Sequence, residues 1–293
     1  MHKLILVALI GLVAISALAG VPPQSSQKTT PAPAATGPLL TRTTTRRESA
    51  RLGYGGTVTL IGAPKGSITI EGWSKSEVEL VAEVELQGAT EEDLDKLATV
   101  NNFAFDEDMN HISILTTGTH DRAYMKKVAK SFPKNLLNLP WKIDFRLKVP
   151  VNTDLEINAG HGPVKVSGVE GAMRISATES ETALSLTGGV ISATVTAGVV
   201  NLTIPARSWR GAGADIRVAA GILNVDLLPG FSGDIDAEVL RTGKITSDYE
   251  GLLPREKPGI TERTVRARAG SGGPYFKFTV VDGTVNIRKT AEK

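Results

Sequence analysis

One short phrase restarts in this chain every nine residues. Segments beginning at 162, 171, 180, 189 and 198 read GPVKVSGVE, GAMRISATE, SETALSLTG, GVISATVTA and GVVNLTIPA. Their third positions are Val164, Met173, Thr182, Ile191 and Val200, and their fifth are Val166, Ile175, Leu184, Ala193 and Leu202. Between these fall Lys165, Arg174, Ala183, Ser192 and Asn201, and the sixth position is always Ser or Thr. Alternation with period two marks a strand with one buried and one wet face, whereas a helix needs apolar spacings of three and four. The glycine that opens most phrases supplies a corner where a side chain would clash or where positive φ is required. Each phrase therefore predicts a strand of about five or six residues and a tight turn. One such strand cannot bury its apolar stripe, but stacked copies can, and a short fixed period signals a solenoid. Less regular fragments continue from 213, 221, 233 and 243. The expected fold is all-β, a single-stranded β-helix-like solenoid. An antiparallel meander closed into a β-sandwich is the alternative, since regular short strands serve both.

The flanks fit the same class. GGTVTLIGAPKGSITIEGW gives strands at 57–61 and 67–71, and SEVELVAEVEL continues the alternation. Near the end, YFKFTVVDGTVNIRK predicts a hairpin turning at Asp282-Gly283, the favoured chemistry of a two-residue turn, which would cap the stack. Two segments break the rhythm. ATEEDLDKLATV, with Thr90 as N-cap and Leu94, Leu97 and Val100 on one face, predicts a helix near 90–100. In 120–141, HDRAYMKKVAKSFPKNLLNLPW, Tyr124, Val128 and Phe132 fall at i, i+4 and i+8, predicting a basic amphipathic helix near 120–133. Arg122, Lys126, Lys127, Lys130 and Lys134, with Trp141 beyond them, make this the candidate interaction segment. A membrane surface or a partner would suit it; the plainer alternative lays the stripe on the domain's own core, with the lysines in water.

Residues 1–19, with Lys3, an apolar run from Leu4 to Leu18 and the end SALAG, are expected to be a signal peptide cleaved after Ala19. The alternative is an uncleaved anchor, for which the run is short. Residues 20–51, rich in Pro, Thr, Ser and Ala, are expected to be a disordered linker, and 52–293 the solenoid domain. The chain is +2 overall, the linker holds +4 and Lys3 adds one, so residues 52–293 carry −3. An acidic exported body argues against nucleic acid as a partner. With no cysteine, disulfides and a bacterial lipid anchor are excluded.

The run GTVTLIG…GSITIEGWSKSEVELVAEV, a helical interlude, then LKVPVNTDLEINAGHGPVKVSGVEGAMRIS resembles the bacterial exported family labelled "putative adhesin", domain of unknown function 4097, over roughly 53–250. The resemblance implies a β-helix-like domain of the cell envelope and carries over no catalytic residue. Ser180, standing where a glycine is expected, and the irregular ARSWRGAGAD depart from the pattern.

No reaction signature emerges. His111, His120 and His161 are scattered and show no metal-ligand spacing, and His161 in NAGHGPV is expected at a corner. FDEDMN lacks the spaced calcium-loop ligands and their glycine, and is expected to be a solvated turn. GYGGT, GAGAD and GSGG have neither the Lys-Ser/Thr nor the helix of a phosphate loop. No cofactor and no metal is expected. A polysaccharide-acting β-helix enzyme, the serious alternative, needs acids converging on one face; a stress sensor or scaffold comes third. The expectation is a non-enzymatic protein of the periplasm, envelope or surface that presents a repetitive β surface to an envelope protein, cell-wall glycan or its own copies.

Overall fold

The structure, a computed structural model, describes residues 38–290 apart from Ala129. The expected signal peptide and linker residues 20–37 lie outside the described residues. In chain order the elements are β1 (Leu40–Arg51), β2 (Thr57–Ile61), β3 (Ile68–Trp73), β4 (Glu77–Gly88), α1 (Glu91–Val100), β5 (Asn102–Asp108), β6 (His111–Thr117), α2 (Arg122–Val128), β7 (Trp141–Pro150), β8 (Asp154–His161), β9 (Val164–Ser167), β10 (Ala172–Ser185), β11 (Gly188–Ile204), β12 (Arg210–Leu227), β13 (Gly233–Ser247), β14 (Leu252–Pro254), β15 (Thr264–Ala269) and β16 (Tyr275–Lys289). The strands join one large, open, mixed sheet.

The nine-residue phrase is half of a repeating unit. β8 and β9 pair in parallel with successive halves of β10, Leu155 opposite Met173 and Val164 opposite Thr182, an offset of 18 positions. β10 pairs with β11 at the same offset, Met173 opposite Ile191 and Thr182 opposite Val200. Two phrases, a first and a second arm, thus make one rung. The inward positions behave as alternation requires: Val164, Val166, Met173, Ile175, Thr182, Leu184, Ile191, Ala193, Val200 and Leu202 are all buried. Side chains of both arms join one apolar cluster. Nonpolar burial of about 25 cal/mol per Å² is the main stabilising force available to a chain without disulfides.

Glycines set the corner between arms. Gly198, Gly221, Gly243 and Gly283 have φ of +130°, +146°, +119° and +145°. A Cβ on Gly221 would stand 1.8 Å from the Gly198 carbonyl oxygen, one on Gly283 1.7 Å from that of Gly221, and one on Gly243 1.7 Å from that of Gly283. Each corner therefore rests on the main chain of the next, with room only for hydrogen. Ser180 continues this column, buried, its hydroxyl 3.1 Å from that of Thr182.

This corner explains why no hairpin forms at Asp282-Gly283. β16 runs through it, its two halves parallel to those of β12 and of β13, with Gly283 in register with Gly221 and Gly243. A two-residue hairpin would turn the chain antiparallel to itself; here the glycine merely bends the strand from one ladder to the other. The end is closed by β15, antiparallel to β13, and then by β14, antiparallel to β15. The irregular ARSWRGAGAD lengthens the β11-to-β12 offset to 23 positions, Val190 opposite Gly213. Trp209 secures it, buried, its indole N–H donating to Gly189 O at 3.0 Å and its ring edge-on to Phe276.

The linker boundary also moves. Residues 40–51 form β1, antiparallel to β4 from Leu40↔Gly88 to Arg51↔Glu77. Composition conceals this strand because Thr and Arg occupy both faces and only Ala50 is buried; main-chain pairing holds it.

Replacing Gly221 by alanine should cost at least about 3 kcal/mol, through positive φ and an oxygen clash that flexible side chains cannot relieve. Gly55→Ala, where φ is +66° and nothing lies within 4 Å, should cost about 1 kcal/mol. Denaturant unfolding of the two variants checks the difference.

Candidate functional site

The rung regularity is interrupted where two connections carry helices. α1 leads from β4 to β5, capped by Thr90, whose hydroxyl accepts from Asp93 N at 3.1 Å. It buries Leu94, Leu97 and Val100, the face that the sequence predicts. α2 leads from β6 toward β7, and Asp121 caps it by accepting from Ala123 N and Tyr124 N at 2.8 and 3.0 Å. It ends at Val128, short of the expected 133, and a 3-10 turn follows at Lys134–Leu136. Pro133 disfavours a helical conformation at Phe132, which breaks the expected i, i+4, i+8 stripe. The buried anchors are instead Met125 and Leu136, while Val128 is 53% exposed.

The displaced stripe becomes the wall of a groove. Tyr124, Val128, Phe132 and Pro133 face Val100, Thr99 and the stem of Lys96 across a cavity of about 660 Å³. On the α1 side Glu92 pairs with Lys96 at 2.7 Å, and Arg42 joins Glu91 and Asp95. The hydrogen bond from Lys96 holds the Glu92 carboxyl below its ordinary value. On the α2 side Arg122, Lys126, Lys127, Lys130 and Lys134 are all exposed, and none forms an ion pair among the described residues. Five unanswered cations thus lie on the α2 segment outside the lining of the groove, whose α1 wall carries acids already matched.

Trp141 is not on this segment but opens β7, and it clips the loop beneath it. Its indole N–H donates to the Thr119 hydroxyl at 3.1 Å, and Asn101, almost fully buried, accepts from Thr119 N at 2.9 Å. His120 packs against Trp141 with ring centroids 5.3 Å apart. Desolvation there pushes the imidazole below its ordinary value, with Asp121 opposing.

Two other clusters stand on outward faces. Asn201, Asn224 and Asn286 form an amide ladder across three rungs, each step 2.8 Å, extended by the Thr246 hydroxyl to Asn286 at 2.6 Å. Sequence reading places Asn201 outward but misses the ladder, because Asn224 and Asn286 are 62 positions apart. The second cluster is where acids converge. Asp234 takes Arg268 at 2.9 Å, and Asp236 takes Arg255 at 2.8 Å and the Tyr275 hydroxyl at 2.7 Å, beside a cavity of about 250 Å³. Partial burial first and Asp236 second push the Tyr275 phenol up to about 12, and Arg268 holds Asp234 below the usual carboxylate range. A glycosidic acid needs a carboxyl raised toward neutrality; these pairs instead tie β13, β15 and the segment after β14 together.

Among the described residues no three or more His, Cys, Asp or Glu gather as a metal site. Asp106, Glu107 and Asp108 lie exposed at the end of β5, and His161 sits at a corner beside Gly162 with Nδ1 3.2 Å from Pro64 O. No described helix is long and apolar enough to cross a membrane.

No protein-family model matches the chain, and no curated protein matches it. Among solved structures it is similar to a "putative cell adhesion protein" from Clostridium sporogenes at 12% identity, covering 84% of this chain and 100% of that one, TM-score 0.45. It is similar also to a "putative adhesin" from Bacteroides fragilis, at 12% identity over 84% and 97% of the chains, TM-score 0.29. A third is a "putative lipid binding protein" from Parabacteroides distasonis, at 11% identity over 84% and 97%, TM-score 0.23.

Protonation of His120 should quench Trp141. The folded value is depressed, so the unfolded chain takes up the proton first as pH falls, and His120 contributes stability above the ordinary imidazole range that fades below it. A fluorescence titration should show a quenching midpoint below that range, and His120→Gln should abolish the step.

Proposed function

We propose that this chain is an exported, non-enzymatic protein of the cell envelope, a β-solenoid that holds an envelope protein or a cell-wall glycan on its outer surface. The observation that carries this reading is the in-register column of outward hydrogen-bonding side chains, of which the Asn201–Asn224–Asn286–Thr246 ladder is the clearest. Rungs about 4.8 Å apart repeat the same chemistry along a line, which suits a partner that repeats as well. Single contacts of this kind are weak, and their sum gains from being held together. The groove between α1 and α2 breaks the repetition and supplies selectivity: Tyr124, Val128 and Phe132 form one wall, and the same segment carries the exposed Arg122, Lys126, Lys127, Lys130 and Lys134. The acids beside Tyr275 are neutralised by their own arginines, which supports a structural role for them over hydrolysis. Export and the envelope address rest on the segment 1–19 and on the resemblance of the sequence.

Retention of the purified chain on native envelope fractions tests the proposal. Lys126→Glu combined with Lys127→Glu and Lys130→Glu should lower retention by about fivefold or more, since reversing exposed charges acts on association with an anionic partner. Retention equal to that of the unaltered chain would remove the segment from the binding surface, and no retention of the unaltered chain would refute the proposal.

A further inference from the structure

Beyond β2 and β3, the two ladders of the sheet end unequally. The first-arm ladder closes with β6 and then β5, while the second-arm ladder runs through β7 and β4 to β1. β1 therefore overhangs by one strand, and among the described residues neither β1 nor β5 pairs with a further strand on its outer edge. Arg46 spans the step, its guanidinium 4.4 Å above the Phe103 ring and donating to Phe103 O at 2.9 Å, so the two edges lie at the same end. Twelve residues of open edge would be a liability unless something governs what may pair with it.

Charge governs it. β1 carries Arg42, Arg46, Arg47 and Arg51 against Glu48, and with Arg42 joined to Glu91 and Asp95 and Arg46 to Glu48 its edge charge rests on Arg47 and Arg51, while β5 carries Asp106, Glu107 and Asp108. Arg47, Arg51 and the three β5 acids are exposed and form no ion pair among the described residues. The rest of the ladder follows the same logic: acidic β4, with Glu83 and Glu85, is matched by Arg146 and Lys142 of β7 at 2.8 and 3.3 Å. Two β1 strands side by side would repel, as would two β5 strands, whereas β1 beside β5 attracts.

We infer that two copies of this chain join end to end about a two-fold axis, with β1 of each pairing with β5 of the other. The step makes the end self-complementary. The overhanging strand of one copy fills the place missing beyond β5 in the other, and both ladders run on, the 7 residues of β5 covering part of the 12-residue edge of β1. A two-fold axis makes both contacts at once, as closed homodimers require, and main-chain pairing supplies affinity while the charges fix the choice of strand. This inference stands apart from the proposed partner, because neither the α1–α2 groove nor the amide ladder takes part.

Sedimentation velocity at low ionic strength should show a dimer that weakens as salt rises. Arg47→Glu with Arg51→Glu, or Asp106→Lys with Asp108→Lys, should each weaken it by about tenfold or more. An equal mixture of the two variants should restore association as a heterodimer, because both contacts are then again between opposite charges. Hydrogen exchange on the unaltered chain gives a readout free of substitutions: amides of β1 and β5 should gain protection as the dimer forms. A monomer at every concentration, association indifferent to charge reversal, or a mixture that does not recover would each overturn the inference. So would a monomer whose β1 amides are already protected, since another part of the chain would then hold the edge.

Discussion

The rest of the molecule depends on one close contact, between a glycine α-carbon and the carbonyl oxygen of the next rung's corner. At Gly243, Gly283, Gly221 and Gly198 the site of a Cβ lies within about 2.1 Å of that oxygen, so any side chain would push adjacent rungs apart. With the corners in contact, the arms come into parallel register and each inward row meets the row above it. The sequence order of the rungs is secondary. β16 lies between β12 and β13 although it follows both in the chain, because its Gly283 fits between Gly221 and Gly243. The five-residue lengthening before β12 is tolerated for the same reason: it falls between rungs, and the column at Gly198 and Gly221 is undisturbed.

Regular stacking frees the outward positions from any packing duty. Where rungs align, outward side chains meet their own counterparts, and amides and hydroxyls form ladders. Where an antiparallel strand must be added at the end of the sheet, ion pairs take over, as in Arg268 to Asp234 and Arg255 to Asp236. Near the other end the connections lengthen into α1 and α2, and apolar side chains that the core does not take, Val128 above all, stay exposed. The surface thus divides into a repetitive part and a singular part, the division that the proposed function uses.

Much of this is legible in the chain itself. Alternation at 162–204 names the inward residues, and Thr90 with Leu94, Leu97 and Val100 defines α1. What escapes is whatever two chemistries share. Asp282-Gly283 suits a hairpin and a corner equally, and only the neighbouring glycines on other rungs decide. The phrase length of nine does not say whether one strand or two make a rung. β1 escapes because strand detection relies on a buried stripe, and a strand that overhangs the core has almost none; its β-branched threonines at 41, 43, 44 and 45 are the signal available. In the candidate site the basic residues are evident from sequence, but the groove is not. It exists because Pro133 stops α2 and swings Phe132 toward Val100, and Trp141 belongs to the strand that follows.

Because the chain has no cysteine, introduced pairs can report rung contacts without background. Asn224 and Asn286 are register partners on adjacent parallel strands, at a spacing of about 4.8 Å that a disulfide can span. The direct measurement is oxidation of the Asn224→Cys, Asn286→Cys chain beside a Val281→Cys, Thr284→Cys chain, whose thiols would face each other only if 275–289 folded back on itself. The account predicts a closed disulfide in the first and free thiols in the second; the reverse would contradict it.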